Sequence, residues 1–195
     1  MIKELNKKYF KNHPLKEISA ARFEYSLYTM DGIEKLVNDA LKDKLKPNLE
    51  DLKDEAAIES TVKPEELLKY MRKGISANNR QKLRDKILEY EAEMKPLIQR
   101  RAITNLQDIY IENTLYFFLH CKENCCDWII QQYENIRSEY LKSMLCLVLG
   151  FRGDVSLIPF LMNEVKRFER YHPDKDYEQG PLLALYELKE RFGRS

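Results

Sequence analysis

From Thr104 to the C-terminus, apolar side chains return every three or four residues in one helix-length segment after another. The series runs Ile111, Leu115, Phe118 and Leu119, then Ile129, Tyr133 and Ile136, then Leu141, Met144, Leu145 and Val148. It continues with Ile158, Leu161, Met162, Val165 and Phe168, and closes with Leu182, Leu185, Leu188 and Phe192. A period of three to four puts each set on one face of an α-helix, and that face is buried only against another helix. Short polar breaks at Lys122 to Asn124, Gly150 to Asp154 and Tyr171 to Gln179 separate the segments. Helices joined by such turns, pair after pair, are the pattern of a solenoid. Sustained two-residue alternation is absent, and six glycines with seven prolines are few for a protein of many short strands. The expected class is all-α: an α-α superhelix or solenoid over 104–195, with an N-terminal helical region over 1–103 packing on it.

Local signals mark the helix ends. Thr104-Asn105-Leu106-Gln107 has the spacing of a capping box, in which the first side chain accepts from the fourth residue's amide. Pro64, followed by Glu65 and Glu66, suits the first turn of a helix bearing Leu67, Leu68 and Met71, with Gly74 beyond its end. Leu83, Ile87, Tyr90, Met94 and Leu97 alternate in steps of four and three like a short coiled-coil seam. Pro96 lies inside it and is expected to kink or break the helix, since it lacks an amide donor and crowds the carbonyl of Ala92. Further upstream, Asp31 and Glu34 form a capping-box variant before Ile33, Leu36, Val37, Ala40 and Leu41, and Ile18, Ala21 and Tyr25 suggest one more helix after His13-Pro14. Between them and Pro64, the charged stretch 42–63 offers only Leu49, Leu52 and Ala56 as a weak stripe.

One passage resembles a known repeat. Leu149-Gly150-Phe151-Arg152-Gly153-Asp154, followed by Ile158-Pro159-Phe160-Leu161, is similar to HEAT-like repeats of the phycobilisome-lyase type, in which a helix ends in Leu-Gly-x-x-Gly-Asp and the next begins near Ile-Pro-x-Leu. Leu185 to Gly193 matches in part. The turn chemistry agrees with that reading: Gly153 can take a left-handed conformation, Asp154 can cap the next helix, and Pro159 is near enough its start to sacrifice little hydrogen bonding. The resemblance implies a fold and transfers no active site, because such repeats serve lyases, scaffolds and nucleic-acid-binding proteins alike.

Charge and cysteine usage narrow the function classes. The chain holds 33 basic and 32 acidic residues among 195, so its overall field favours neither nucleic acid nor membrane. No stretch approaches the roughly 20 apolar residues of a membrane span, and the N-terminus lacks the apolar core of a signal peptide. The four cysteines, Cys121, Cys125, Cys126 and Cys146, are bunched in one helical region rather than spread as a disulfide framework. They read as reduced thiols of a soluble cytoplasmic protein.

Four constellations bear on chemistry. His120, Cys121, Cys125 and Cys126 are soft ligands close together, but without the paired Cys-x-x-Cys spacing of a zinc site, so neither metal nor cofactor is expected. Lys69, Arg72, Lys73, Arg80, Lys82, Arg84 and Lys86, with Arg100 and Arg101, form a basic run interrupted by Asp85 and Glu89. Asp174, Asp176 and Glu178 alternate like calcium-loop ligands, but the loop's glycine and distant glutamate have no counterparts. His13, His120 and His172 are paired with no nucleophile or carboxylate at an interpretable spacing, so no catalytic residue is assigned.

Two readings follow. The first is a non-enzymatic protein-binding module (adaptor, inhibitor or neutralising partner), whose solenoid surface presents Tyr133, Tyr140, Tyr186 and Trp128, with Tyr110, to another protein. The second is a nucleic-acid-binding HEAT-like protein, or a glycosylase-like enzyme, using Arg72, Lys73, Arg80, Arg84, Arg100 and Arg101; Asp127-Trp128 partly matches the Asp and tryptophans of HEAT-like DNA glycosylases.

Overall fold

The computed structural model describes residues 49–193. The helices read at Ile18 to Tyr25 and Ile33 to Leu41 lie outside them. The described residues form nine α-helices and no strand, and they divide between two compact units, one ending in the chain at Cys121 and the other resuming at Lys122.

In the first unit, α1 (Leu49–Ser60) is followed by α2 (Pro64–Tyr70), α3 (Ala77–Glu89), α4 (Glu91–Ala102) and α5 (Asp108–His120). Pro64 stands at the start of α2 as its fixed φ favours. The face of α1 turned inward is not the one the apolar stripe suggests. Leu49, Leu52 and Ala56 are exposed, while Asp54 and Ile58 are buried. The cause is a set of polar contacts with the segments that α1 packs on. Lys73 Nζ donates to both oxygens of Asp54 at 2.7 and 2.8 Å, the Asn79 amide donates to the Asp51 carbonyl at 2.8 Å, and Lys82 pairs with Glu55 and Glu59.

The seam across Tyr90 is two helices. Tyr90 (φ −98°, ψ 34°) ends α3 and begins α4, so the break comes before Pro96 and not at it. Pro96 stays inside α4 with its ring exposed, where water can serve the Ala92 carbonyl that it cannot. The Thr104–Gln107 capping box does not form. Gln107 caps α5 without a side-chain bond, and Asn105 Oδ1 instead accepts the Gln107 amide at 2.8 Å in an Asx turn. Behind that turn, α5 packs on α3 and α4 and so belongs to this unit. Its Asn113 ties the unit together: the amide donates to the Met71 carbonyl at 3.1 Å and Oδ1 accepts Arg84 Nε at 3.4 Å.

The second unit contains α6 (Cys126–Gln132) with a 3-10 turn at Tyr133–Asn135, α7 (Glu139–Arg152), a 3-10 turn at Val155–Leu157, α8 (Ile158–Tyr171) and α9 (Gln179–Phe192). Ser138 caps α7, accepting the Leu141 amide at 3.0 Å. Every residue of α7 from Leu145 to Gly150 is buried, which makes it the central helix. The last helix, α9, packs against both α7 and α8, and its contact with α7 is unusually close. A Cβ on Gly150 would stand 2.5 Å from the Ala184 Cα, and one on Gly180 would stand 2.1 Å from the Ser143 carbonyl oxygen. Gly150 is therefore helical and serves the approach of two backbones, rather than opening a turn.

The turn itself lies at Gly153 and Asp154. Asp154 Oδ1 accepts the Ser156 amide at 2.8 Å and so caps the 3-10 turn. Gly153 is extended (φ −87°, ψ −165°), so the left-handed conformation read from the sequence does not occur. Glycine is needed there for space: a Cβ would meet Leu157 Cδ1 at 2.2 Å and the Leu149 carbonyl oxygen at 2.5 Å. A positive φ does occur at Asp176 (49°), in the turn before α9, where the short polar side chain tolerates it.

Candidate functional site

Tyrosines divide sharply by environment. Tyr110 and Tyr133, both read as contact surface, are core residues at 0% and 1% exposure. The Tyr110 hydroxyl donates to the Ile98 carbonyl at 3.4 Å. Tyr133 donates to Glu164 Oε2 at 2.7 Å, with the Lys142 carbonyl at 3.3 Å and the Cys146 thiol at 3.4 Å. Burial pushes both phenols well above their ordinary pKa. Neither ring lies at the surface. Trp128 on α6, Tyr140 in the first turn of α7 and Tyr186 on α9 are half-buried and keep part of their surface open. Tyr140 lies 6.5 Å from the Tyr177 ring, and the Lys189 ammonium is 5.5 Å from the Tyr186 ring centre.

The polar group around Tyr133 was not read from the sequence. Glu164 sits on α8 among Leu161, Val165 and Phe168, with its side chain 7% exposed. Arg167 Nε donates to Glu164 Oε2 at 2.8 Å and its Nη1 to Glu139 Oε2 at 2.7 Å. Lys142 Nζ lies 3.4 Å from Glu139 Oε1 and His172 Nε2 lies 3.9 Å from Glu139 Oε2. Burial opposes the Arg167 charge, but the hydrogen bonds to Glu139 and Glu164 outweigh it and raise its pKa. Both carboxylates are thus committed to cations within the fold. The cluster can hold the Tyr133 turn, α7 and α8 in register. A charged residue inside the Leu161–Val165–Phe168 stripe was the signal that could have found it.

All four cysteines are free thiols and buried, and among the described residues no group of three or more His, Cys, Asp or Glu is placed to hold a metal ion. Burial raises the Cys126 thiol pKa and pushes Cys146 up to about 12, so both are poor nucleophiles. His120 is exposed at the end of α5, stacked 4.0 Å from the Tyr116 ring.

Three lysines of the basic run are paired within the first unit. Lys73 lies 2.7 Å from Asp54 and 3.1 Å from Glu50, Lys82 is held by Glu55 and Glu59, and Lys86 lies 3.1 Å from Glu89. Hydrogen bonds to these carboxylates raise the pKa of all three lysines. Arg84 is 5% exposed, its guanidinium 4.4 Å over the Tyr116 ring, and burial lowers its pKa. Arg80 is half-buried. Arg72, Arg100 and Arg101 remain exposed, and Arg72 Nε donates to the neutral Gln107 side chain at 3.0 Å.

The described residues thus define an all-α protein whose aromatic and cationic groups are largely turned to its own packing. No helix among them is long and apolar enough to cross a membrane. No family model, curated protein or solved structure matches the chain.

Proposed function

We propose that this chain is a non-enzymatic protein-binding module of the cytoplasm, an adaptor, inhibitor or neutralising partner that works through the surface of a HEAT-like α-solenoid. The observation that carries this over nucleic-acid binding is that three lysines of the basic run are compensated and Arg84 is buried, which leaves Arg72, Arg100 and Arg101 as its exposed arginines. A phosphate-binding face needs cations free to displace counterions. Here Lys73, Lys82 and Lys86 are paired with carboxylates of the same unit and Arg84 is buried. The half-buried Trp128, Tyr140 and Tyr186 offer rigid contact area that needs little ordering on binding. The solenoid reading is supported by the Asp154 cap at the Leu-Gly-x-x-Gly-Asp turn.

The two readings separate by salt. Titration of the full chain with a labelled mixed-sequence duplex, and passage over heparin, are expected to show weak binding at about 50 mM salt and none at about 200 mM. Native co-purification should yield a protein at fixed stoichiometry. Tight duplex binding whose logarithm falls steeply with the logarithm of salt concentration would overturn the proposal in favour of a nucleic-acid-binding protein.

A further inference from the structure

We propose that Leu106 and Ile109, set beside Arg72 and Arg101 in the first unit, are the docking surface for a partner-protein segment carrying carboxylates next to apolar side chains. This rests on the protein-binding reading and names its surface. Leu106 is 66% exposed and Ile109 38%, large apolar groups left in water three residues apart in the chain. Leu106 is also held in place. The Thr104 and Asn105 amides donate to the Arg101 carbonyl at 3.3 and 3.1 Å, and Asn105 Oδ1 accepts the Gln107 amide, so bonds on both sides fix the backbone that carries it. A group fixed before binding loses less entropy on docking than one on a free loop.

The flanking charges decide what docks. The Arg72–Gln107 hydrogen bond of 3.0 Å brings one guanidinium to the residue after Leu106. Arg101 carries the carbonyl that anchors the turn bearing Leu106, and its side chain, like that of Arg72, is exposed. Gly74 leaves the neighbouring backbone bare, with Ile109 Cδ1 3.8 Å from where its Cβ would stand. Among the described residues, neither arginine has a carboxylate within ion-pair distance, in contrast to Lys73, Lys82 and Lys86. Asp108, exposed between Gln107 and Ile109, keeps partner carboxylates towards the two arginines. Guanidinium forks bind carboxylates in bidentate fashion, and arginine beside a large apolar anchor is the usual chemistry of an interface centre. Phosphates would find two cations separated by exposed aliphatic surface instead of a continuous row.

The test is selection of a random peptide library on the full chain, followed by titration of the winning synthetic peptide against variants. The surface predicts winners with Asp or Glu within a few positions of Leu, Ile or Phe. Arg101→Glu and Leu106→Asp should each weaken binding about tenfold or more with the melting temperature unchanged, since both residues are exposed. Reversing the peptide's acidic residues to lysine should restore binding to Arg101→Glu. Peptides that bind every variant equally would overturn the surface and leave the protein-binding reading standing. Failure to select any peptide would also overturn it. An oligonucleotide of about 12 bases that binds, and loses binding in Arg101→Glu, would overturn the surface and the protein-binding reading together.

Discussion

Tyr133 carries a hydroxyl that one carboxylate and one thiol share in the core, and removing that single oxygen has a calculable effect. Tyr133→Phe keeps the ring and its edge contact with Phe160 at 4.9 Å, but takes a donor from Glu164. Arg167 still serves that carboxylate, so the expected loss is that of one hydrogen bond to a buried charged group, about 1–3 kcal/mol. Urea denaturation of Tyr133→Phe measures it; a change below about 0.5 kcal/mol would mean that the hydroxyl is satisfied elsewhere or not needed. The sequence showed Tyr133 as one of several tyrosines at helical spacing. Whether such a ring faces inward depended on Glu164, 31 residues later, and no local pattern carries that information. Gly153 was misread for a related reason. Glycine near a helix end suggests a left-handed cap, whereas here it answers the Leu157 side chain and the Leu149 carbonyl.

Elements were legible where an apolar stripe faces an apolar stripe, and less so where polar pairs hold a helix down. The central helix α7 and the strongly one-sided α8 follow the spacing read from Leu141 to Val148 and from Ile158 to Phe168. α1 does not, because its inner face is anchored through Asp54 and Glu55, residues that a hydrophobic pattern assigns to solvent. The close approach of α9 to α7 gives a second measurable order. Gly180→Ala forces a Cβ towards the Ser143 backbone, so one of the two helices must shift, at about 1–3 kcal/mol. Leu161→Ala empties a fully buried position on α8 and should cost about 2–5 kcal/mol. Lys175→Ala, in the exposed turn before α9, should stay within about 0.5 kcal/mol of the parent. Chemical denaturation of these variants places Leu161→Ala at least as low as Gly180→Ala and Lys175→Ala beside wild type. A Gly180→Ala variant as stable as Lys175→Ala would mean that the two backbones have room to separate.

At the scale of the molecule, the all-α class of the described residues was legible because apolar side chains return there at a helical period without alternation, whereas the placement of cations against carboxylates was not, since balanced charge says nothing of pairing. That placement, with the buried phenols and thiols, gives the molecule a pH profile. Cys146 and Cys126, Tyr110 and Tyr133, and Lys73, Lys82 and Lys86 all have pKa values raised by folding. A group whose pKa is higher in the folded chain holds its proton more tightly there than in the unfolded chain. Its contribution is present in full below the unfolded pKa and is lost as pH rises through the window up to the folded value. For the thiols that window opens near the ordinary value of 9.0, for the phenols near 10.0 and for the lysines near 10.5. All seven act in the same direction, so stability should fall with increasing steepness above about pH 9. Each buried group contributes at most about 1.4 kcal/mol per pH unit. On the acid side Asp154, whose carboxyl is held low by hydrogen bonds from Ser156, works in the opposite sense: its contribution is present above 3.8 and lost as pH falls through its folded value. Melting temperatures of wild type and Tyr133→Phe between pH 7 and pH 11 separate the contributions. Wild type should exceed the variant by a constant margin up to about pH 10, and the margin should then narrow, because only wild type has a phenol at that position to ionise on unfolding. A margin that stays constant through pH 11 would show that the Tyr133 hydroxyl titrates alike in the folded and unfolded chain, and its burial between Glu164 and Cys146 would then be wrong.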